Sequence, residues 1–580
     1  MNVDELFRKP NLPSSSANGK RKFEASDAQA AYKAAKLSPN GDVKHNGASV
    51  EDEPEDDIEA GPELPPEDED ADEEGRFFGG GVTRDTANAL DYLDQADEEA
   101  YVEEKIDAAW VRRLGINFER KINKNAELRA KFESDASKFM ASEADLDAQL
   151  KELSILTEHP ELYPEFARIG CTASLVSLLA HENTDVAIDA IEIVAELLDE
   201  DVAAEQEHWD ALVDAMLEAD LVNLLRSNLD RFDESNEVDR SGVYHSLAVL
   251  EGLASQSTVA EKVGEKEVLE WLMKRCRAKE SPFSQNKQYA AEVLGILLQS
   301  SATIRKRFIS ELEGVDFFLQ LLAAYRKRDP EKDSAEEEFA ENLFDGLTCV
   351  VDEQEGKAAL VQFEGVELAL IMLKEGKMSK TRALRVLDHA MSGSGLEVCN
   401  QVVESAGLKT IFGMFMKKLD NESTEHLLGI FSALLRLLPG ESAPRIRTLA
   451  KFVEKEYEKV DKLIKLRRDY AARIAAVDEE IRAEQKVLEP AEREERSDEW
   501  FSRRLDAGLY CLQTLDVILA WLVAEDGGAR KRVAQLLAER DEKLDVLKAS
   551  LEELLDGVEG SEEGQNQDTG EMLKALLECL

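Results

Sequence analysis

The sequence predicts an all-α fold, and three observations carry that prediction. Leu, Ala, Glu and Lys dominate most stretches of the chain, and these residue types favour helix over strand. Glycine and proline, which interrupt regular elements, make up only 32 and 14 of the 580 residues. From about residue 86 onward the apolar residues recur with a helical period, and a longer unit then repeats along the chain.

The repeated unit consists of an apolar helix, a polar connection and a second helix rich in Ala and Leu. Its apolar anchors are spaced by 46, 48, 49, 50 and 40 residues, close to the ~40–47 residues of armadillo and HEAT units. Because one helix pair cannot bury its apolar face alone, the pairs must stack into a continuous core. The sequence thus predicts an armadillo/HEAT-like right-handed superhelical solenoid. The anchors are Leu175, Leu221, Leu269, Phe318, Leu368 and Leu408.

Composition divides the chain into four regions. Residues 1–85 are rich in Ser, Asn, Gly, Pro and charge, which predicts a disordered region with a basic cluster and an acidic tract. We expect an N-terminal helical cap over residues 86–160 and armadillo-like repeats over residues 161–440. Residues 441–580 should form a helical C-terminal capping region, since repeat proteins need polar end layers.

The chain is strongly acidic, with a net charge of −51. Residues 51–74 hold fifteen carboxylates and no basic side chain, so most of the negative charge lies outside this tract. An acidic surface repels phosphate backbones and attracts basic protein segments. We therefore expect protein partners and no direct binding of nucleic acid, although solubility alone is an alternative explanation of the charge.

Two short motifs lie within the first 40 residues. The basic cluster Lys20, Arg21 and Lys22 is a candidate nuclear import signal, with a chance basic triplet as the alternative. A small apolar group near the beginning of the sequence could form a short docking turn. This apolar group comprises Val3, Leu6 and Phe7.

Local signals predict several helix ends. A glycine precedes several of the anchor helices and could end the previous helix in a left-handed cap. Residues 185–198 predict a helix with either Asn183 or Thr184 as its N-cap. The glycines are Gly170, Gly314, Gly365 and Gly407.

The C-terminal region departs from the repeat pattern. Residues 446–489 predict one long charged helix with some apolar residues at heptad spacing, but Arg467 interrupts the coiled-coil seam. Pro490 should end this helix. Residues 498–524 predict a strongly apolar helix packed beneath it, and residues 528–557 predict another helix.

The sequence offers no catalytic, cofactor or metal site. It contains no phosphate-binding loop, no nucleophile elbow and no zinc-protease motif. Its six cysteines are widely spaced without zinc spacing, and its seven histidines are scattered. There is no run of 18 apolar residues, so we expect an intracellular protein without a membrane partner. The chain is predicted not to be an enzyme.

Peptide recognition along a solenoid groove is the function class that remains. On the predicted helix at 185–198, four carboxylates fall on one face, Asp185, Asp189, Glu192 and Glu196. The last three, which we call the carboxylate stripe, are candidate groove residues. Carboxylates in such a groove can pair with Lys and Arg of a partner, or simply solvate an exposed helix face. The complete set of candidate groove carboxylates is Asp189, Glu192, Glu196, Glu292, Asp345 and Asp388.

Several long strings resemble the beta-catenin-like protein 1 family of armadillo-type nuclear proteins. The resemblance covers the opening MNVDELF and then residues 117–525. Among the resembling strings are FERKINKNAELRAKF, HENTDVAIDA, SPFSQNKQYAAEVLGILLQ, LRVLDHAM, GLKTIFGMFMK and RRLDAGLYCLQ.

The resemblance implies a nuclear, non-catalytic scaffold that associates with the spliceosome through the NineTeen complex in pre-mRNA splicing. It implies binding to basic, nuclear-localisation-like segments of splicing-factor proteins, and possible homodimer formation. An importin-like nuclear transport adaptor is the alternative. Importin-type armadillo proteins hold basic peptides with Trp and Asn ladders, whereas none of the five tryptophans here falls on a second helix of the six repeats. Binding of basic segments should therefore depend more on carboxylates and on salt concentration.

Overall fold

A computed structural model describes residues 105–559 and 567–580, and every regular element in these residues is helical. The predicted all-α class is therefore confirmed. The predicted disordered region 1–85, the import signal at residues 20–22 and the acidic tract lie outside the described residues. The four proposed region boundaries remain predictions.

The chain divides into two compact units. Residues Gly115–Leu580 belong to one unit, which contains the repeats and the C-terminal helices. Residues 105–114 belong to the other, and within them the helix α1 begins at Ala108. This helix continues to Lys131, and the second described helix, α2, spans Met140–Glu152.

Each repeat contains three helices rather than the two that the sequence predicted. A first helix, in most repeats two to three turns long, precedes the apolar anchor helix, and a long third helix follows. All anchors lie on second helices, and all except Leu368 are buried. A three-helix unit is the armadillo arrangement. Most first helices were missed because so few turns leave little periodicity to detect.

The six repeats follow one another directly in the chain. Their helices are α3 (Tyr163–Arg168), α4 (Cys171–Ser177) and α5 (Thr184–Leu197); α6 (Gln206–Glu218), α7 (Leu221–Arg231) and α8 (Glu237–Ala254); α9 (Ser257–Val263), α10 (Lys266–Arg277) and α11 (Gln285–Ser300); α12 (Ala302–Leu312), α13 (Gly314–Leu322) and α14 (Ala335–Asp352); α15 (Gln354–Gln362), α16 (Gly365–Glu375) and α17 (Met378–Met391); α18 (Leu396–Glu404), α19 (Gly407–Phe415) and α20 (Asn421–Leu437). Short 3-10 turns lie at Ala136–Lys138, Leu153–Glu158, Pro160–Leu162, Leu178–Ala180 and Ala323–Tyr325.

Seven further helices form the C-terminal region. They are α21 (Ala443–Gln485), α22 (Pro490–Glu495), α23 (Ser497–Asp506), α24 (Leu509–Glu525), α25 (Gly527–Ala538), α26 (Asp545–Glu559) and α27 (Gln567–Cys579).

The third helices pack side by side in chain order, from α5 through α8, α11, α14 and α17 to α20. Helix α2 packs on α5 at one end of this row, and α24 packs on α20 at the other. We call these eight helices the ladder. Most third helices begin with a side-chain cap, which satisfies an otherwise unpaired backbone N–H. The capping residues are Asn183, Asn236, Ser284, Ser334 and Asp420.

Of the four glycines predicted to adopt left-handed caps, only Gly170 does so, with φ +83°. Before the other three glycines, the left-handed residues are Glu313, Glu364 and Ala406. Gly314 instead allows close packing, because a Cβ there would lie 2.0 Å from the ring of Phe308. That prediction was therefore wrong for three positions, where crowding rather than backbone conformation requires glycine.

The long helix predicted over 446–489 is interrupted and ends earlier. Within α21, residues 454–457 have non-helical torsion angles, and three of them have positive φ. The helix ends at Gln485, and Pro490 begins α22 instead of ending α21. Proline suits this first helical position because its missing N–H has no partner there in any case.

The apolar helix predicted over 498–524 is two helices. Gly508, with φ +102°, separates α23 from α24 and faces the ring of Tyr470, which lies 2.4 Å from where a Cβ would stand. The expected helix over 528–557 is likewise divided into α25 and α26.

Among the described residues, no single helix is long and apolar enough to cross a membrane. The bent pair Glu492–Asp506 and Leu509–Glu525 meets the length and composition requirement only when taken together, across a bend of 62°. Most residues of α24 are buried within the protein core.

Candidate functional site

The carboxylate stripe lies on α5 and meets a second acidic side chain from α2. Asp189 hydrogen-bonds to Asp147, and burial followed by this hydrogen bond raises the pKa of Asp189 to about 7. On α2, the Lys151 ammonium lies 2.6 Å from Asp147 Oδ1. The hydrogen bond to Asp147 raises the Lys151 pKa despite its partial burial, and the nearby charges of Asp189 and Glu192 act in the same direction.

The other two stripe residues extend this acidic surface along α5. Glu192 Oε1 lies 3.8 Å from His245 Nε2 on α8. Burial lowers the His245 pKa, so this ring is neutral near pH 7 and supplies no counter-charge. Burial and the neighbouring Glu192 raise the pKa of Glu196. The carboxylates of this cluster thus crowd one another, with Lys151 as the cation among them.

Glu292 lies on α11, further along the ladder, and is half-buried. Gln288, one turn earlier on the same helix, donates a hydrogen bond to Glu292 at 3.0 Å. The next helix, α14, carries acidic side chains that face bases on α17. Asp345 pairs with Arg385.

Two further pairs repeat this arrangement between α14 and α17. Glu341 pairs with Arg382, and Asp352 Oδ1 lies 3.0 Å from His389 Nδ1. Each of these three acids on α14 meets one base on α17, in the same order along both helices, so the two helices are joined by three polar contacts. Asp345 is therefore part of the internal packing of the ladder.

Asp388 is also used internally. Its Oδ2 lies 3.0 Å from Nδ1 of His426 on α20, and both side chains are 7% exposed. Burial opposes the charge on His426, but hydrogen bonds to Asp388 and Glu422 outweigh it and raise the His426 pKa to about 9. At neutral pH the pair is a buried ion pair that joins α17 to α20.

The structure therefore divides five of the six predicted carboxylates into two groups, while Glu292 lies apart from both on α11. Asp345 and Asp388 are neutralised by bases on adjacent ladder helices. Asp189, Glu192 and Glu196 lie together at the α2–α5–α8 end, where carboxylates outnumber cations. Their role in partner binding remains a prediction, and the surplus of charge favours this second group.

Sequence reasoning missed the residues that decide this difference. Asp147 and Lys151 form an i, i+4 pair on α2, but nothing local shows that they face α5. Likewise, nothing in the sequence around Arg382 and Arg385 shows that they pair with acids of α14. Only the register between neighbouring helices reveals which acids already have a counter-charge.

The second helices of the predicted two-helix repeats correspond to the third helices of the structure, and Trp271 lies on the second helix α10. No tryptophan lies on a third helix of the six repeats. Trp521 lies on α24, and the guanidinium of the chain's own Arg445 stacks 4.8 Å from its ring. In the described ranges, moreover, no three His, Cys, Asp or Glu side chains come together as a metal site.

Comparison with known proteins identifies the family. Residues 87–552 match the model of the catenin-beta-like, Arm-motif-containing nuclear family. The beta-catenin-like protein 1 homolog of Schizosaccharomyces pombe is 35% identical over 505 residues, covering 86% of this chain and 88% of that protein. Beta-catenin-like protein 1 of Homo sapiens is 35% identical over 473 residues, covering 78% and 82% of the two chains. The chain is an armadillo-repeat scaffold, and it belongs to the catenin-beta-like, Arm-motif-containing nuclear family.

Proposed function

We propose that this chain is a non-catalytic, nuclear scaffold of the pre-mRNA splicing machinery that binds basic, nuclear-localisation-like segments of partner proteins. The observation that carries the binding proposal is the surplus of carboxylates on α2 and α5, beside a neutral His245. Association with the spliceosome through the NineTeen complex rests on the family resemblance. The nuclear description of the family supports the location.

Charge and shape together would select the partner. Lys and Arg side chains of a basic segment would meet Asp189, Glu192 and Glu196 and replace the missing counter-charge. The third helices of the repeats provide no tryptophan slots for lysine stems. Electrostatics should then supply a larger part of the affinity than in an importin-like adaptor, which is the less favoured function for that reason.

The first prediction concerns the stripe itself. The near-isosteric triple variant Asp189→Asn, Glu192→Gln, Glu196→Gln should weaken binding of a fluorescent Lys/Arg-rich peptide about ten-fold, as expected for the loss of a few charge pairs. Fluorescence anisotropy at about 0.1 M salt measures the affinity, and raising the salt to about 0.5 M should weaken the wild-type complex.

The matched control removes three carboxylates from a helix outside the ladder. Glu207, Asp210 and Asp214 are exposed on α6, so Glu207→Gln, Asp210→Asn, Asp214→Asn also neutralises three carboxylates with near-isosteric residues. Equal weakening by both triple variants would show that only net charge matters.

A second experiment tests the splicing proposal in nuclear extract. Wild-type protein and the α6 variant should co-purify splicing factors, while the stripe variant should lose them. If wild-type protein recovers no splicing factor, the splicing proposal is wrong.

The second prediction is a pH dependence of peptide binding. The Asp147–Asp189 pair holds a proton below about pH 7, and a cationic peptide favours the charged form, so binding should release that proton. Affinity should rise roughly three- to ten-fold from about pH 6 to about pH 8. The raised pKa of Glu196 acts in the same direction, and the raised pKa of Lys151 keeps its ammonium charged over this range.

The control for this pH dependence is the single variant Asp189→Asn, which cannot share a proton with Asp147. Its affinity should vary much less over the same pH range. A wild-type affinity that is constant from about pH 6 to about pH 8 would show that this cluster does not contact the peptide.

A further inference from the structure

A cavity of about 490 Å³ lies at the C-terminal end of the ladder. It is bounded by α20, α24 and α27, together with the turn at Gly393. Its volume lies within the ~300–1,000 Å³ range of ligand-binding pockets. Trp521, Met572 and Leu576 supply apolar walls. A site of this kind accepts large apolar side chains, and the flexible Met572 allows the walls to adapt.

The cavity also contains polar groups. Trp521 Nε1–H is buried and has no acceptor among the described residues. One cation and one anion, Arg436 and Asp568, complete the lining and lie on different helices. The cavity therefore suits a short peptide that carries apolar side chains and charges of both signs.

We propose that the cavity binds the segment formed by residues 1–9 of this same chain, MNVDELFRK. Val3, Leu6 and Phe7 have the i, i+3, i+4 spacing of one apolar helix face, the pattern by which short helices bind apolar grooves. The segment matches the two charges of the lining as well, because it carries an acidic pair at residues 4–5 and a basic pair at residues 8–9.

The length of the intervening chain permits this contact. About 100 residues separate the segment from α1. Residues 10–85 have the disordered character that the composition predicts, and a flexible chain of that length has an r.m.s. end-to-end distance of roughly 45–50 Å. Linkage to the same molecule raises the effective concentration of the segment to the order of 1 mM. A segment that would bind only weakly as a separate peptide can therefore occupy the cavity for most of the time in the intact chain.

Cys579 provides a direct measure of occupancy. Its side chain is exposed and lines the cavity, whereas four of the other cysteines are buried and Cys349 is only partly accessible. Burial raises the pKa values of those five thiols, which slows their alkylation further. In the full chain, the segment should shield Cys579 from a maleimide reagent.

The experiment compares the full chain with the variant Leu6→Asp, Phe7→Asp, which leaves the described helices untouched. Alkylation of Cys579, followed by intact-mass and peptide mass spectrometry, should be about ten-fold faster in this variant. This factor is expected if the segment, as a separate peptide, binds with a dissociation constant of about 0.1 mM, which is about ten-fold below its effective concentration in the intact chain. The control Tyr32→Asp, Leu37→Asp changes apolar residues elsewhere in the same region and should retain the protection. Equal rates in wild type and Leu6→Asp, Phe7→Asp overturn the proposal.

Two further measurements locate the segment. Ala575 is exposed on α27 and lines the cavity, so Ala575→Trp should fill the space and abolish the effect of the Leu6→Asp, Phe7→Asp substitutions. If those substitutions still accelerate alkylation with Trp at 575, the segment binds elsewhere and the proposal fails. Protection that increases with protein concentration would indicate insertion into a second copy and would also overturn it, as would protection only in the presence of another protein.

Discussion

Replacing Arg467 with methionine should lower the free energy of unfolding by roughly 3–5 kcal/mol, the cost of breaking a buried ion pair from one side. The guanidinium Nε lies 2.6 Å from Asp516 Oδ1, and the side chains are 7% and 0% exposed. The pair joins α21 to α24 in the core of the C-terminal region. Without Arg467 the fully buried Asp516 loses its counter-charge. Chemical denaturation monitored by circular dichroism measures the loss.

Two comparison variants separate charge from side-chain volume. Arg473 lies on the same helix but is exposed, stacking 5.0 Å from the Tyr470 ring, so Arg473→Met should change stability by less than about 0.5 kcal/mol. The double variant Arg467→Met, Asp516→Leu should recover most of the loss, since an apolar pair can replace a buried ion pair. A loss below about 1 kcal/mol in Arg467→Met would contradict the argument.

Arg467 also shows where sequence reasoning stops. In the sequence it appears as an interruption of an apolar heptad run. Its partner Asp516 lies 49 residues away on another helix. Helix class, repeat spacing and a cap at Asn183 or Thr184 were predictable because each depends on one segment of the chain, and the structure selects Asn183. A pair between distant segments depends on their packing register, which no local pattern specifies.

The interruption of α21 at residues 454–457 is also a consequence of contacts between distant segments of the chain. Glu454, Lys455 and Glu456 are ordinary helix formers, so propensity predicts an unbroken helix. The structure instead places Lys455, Glu456 and Tyr457 at positive φ, and the Tyr457 hydroxyl lies 3.1 Å from Asp526 Oδ1 at the start of α25. Tertiary contacts therefore override the local preference here.

In the candidate site, too, features within one helix were predictable and contacts between helices were not. The carboxylate stripe on α5 was predictable from helical periodicity, because its members share one helix face. The neutralisation of Asp345 and Asp388 was not, because Arg385 and His426 belong to the next repeats. Equivalent positions in successive repeats can thus carry opposite electrostatic roles. A groove inferred from acidic residues alone will overcount its available charges.

The buried pair between Asp388 and His426 should be equally important for stability. His426→Leu leaves Asp388 buried beside an apolar side chain, and we expect the free energy of unfolding at pH 7 to fall by roughly 3–5 kcal/mol. His208 on α6 has no recorded ion pair among the described residues, so His208→Leu is the matched control, with an expected change below about 1 kcal/mol. Urea denaturation of both variants measures the difference.

The pH profile distinguishes this ion pair from a purely steric effect. The His426 pKa rises from 6.5 in the unfolded chain to about 9 in the folded protein, which corresponds to roughly 3 kcal/mol. Because the folded value is the higher one, this stabilisation is fully present below about pH 6.5 and is lost as pH rises through about 9. The stability gap between wild type and His426→Leu should therefore narrow from pH 6 to about pH 10. If the difference in unfolding free energy between wild type and His426→Leu stays constant over that range, the destabilisation comes from lost packing and not from the ion pair.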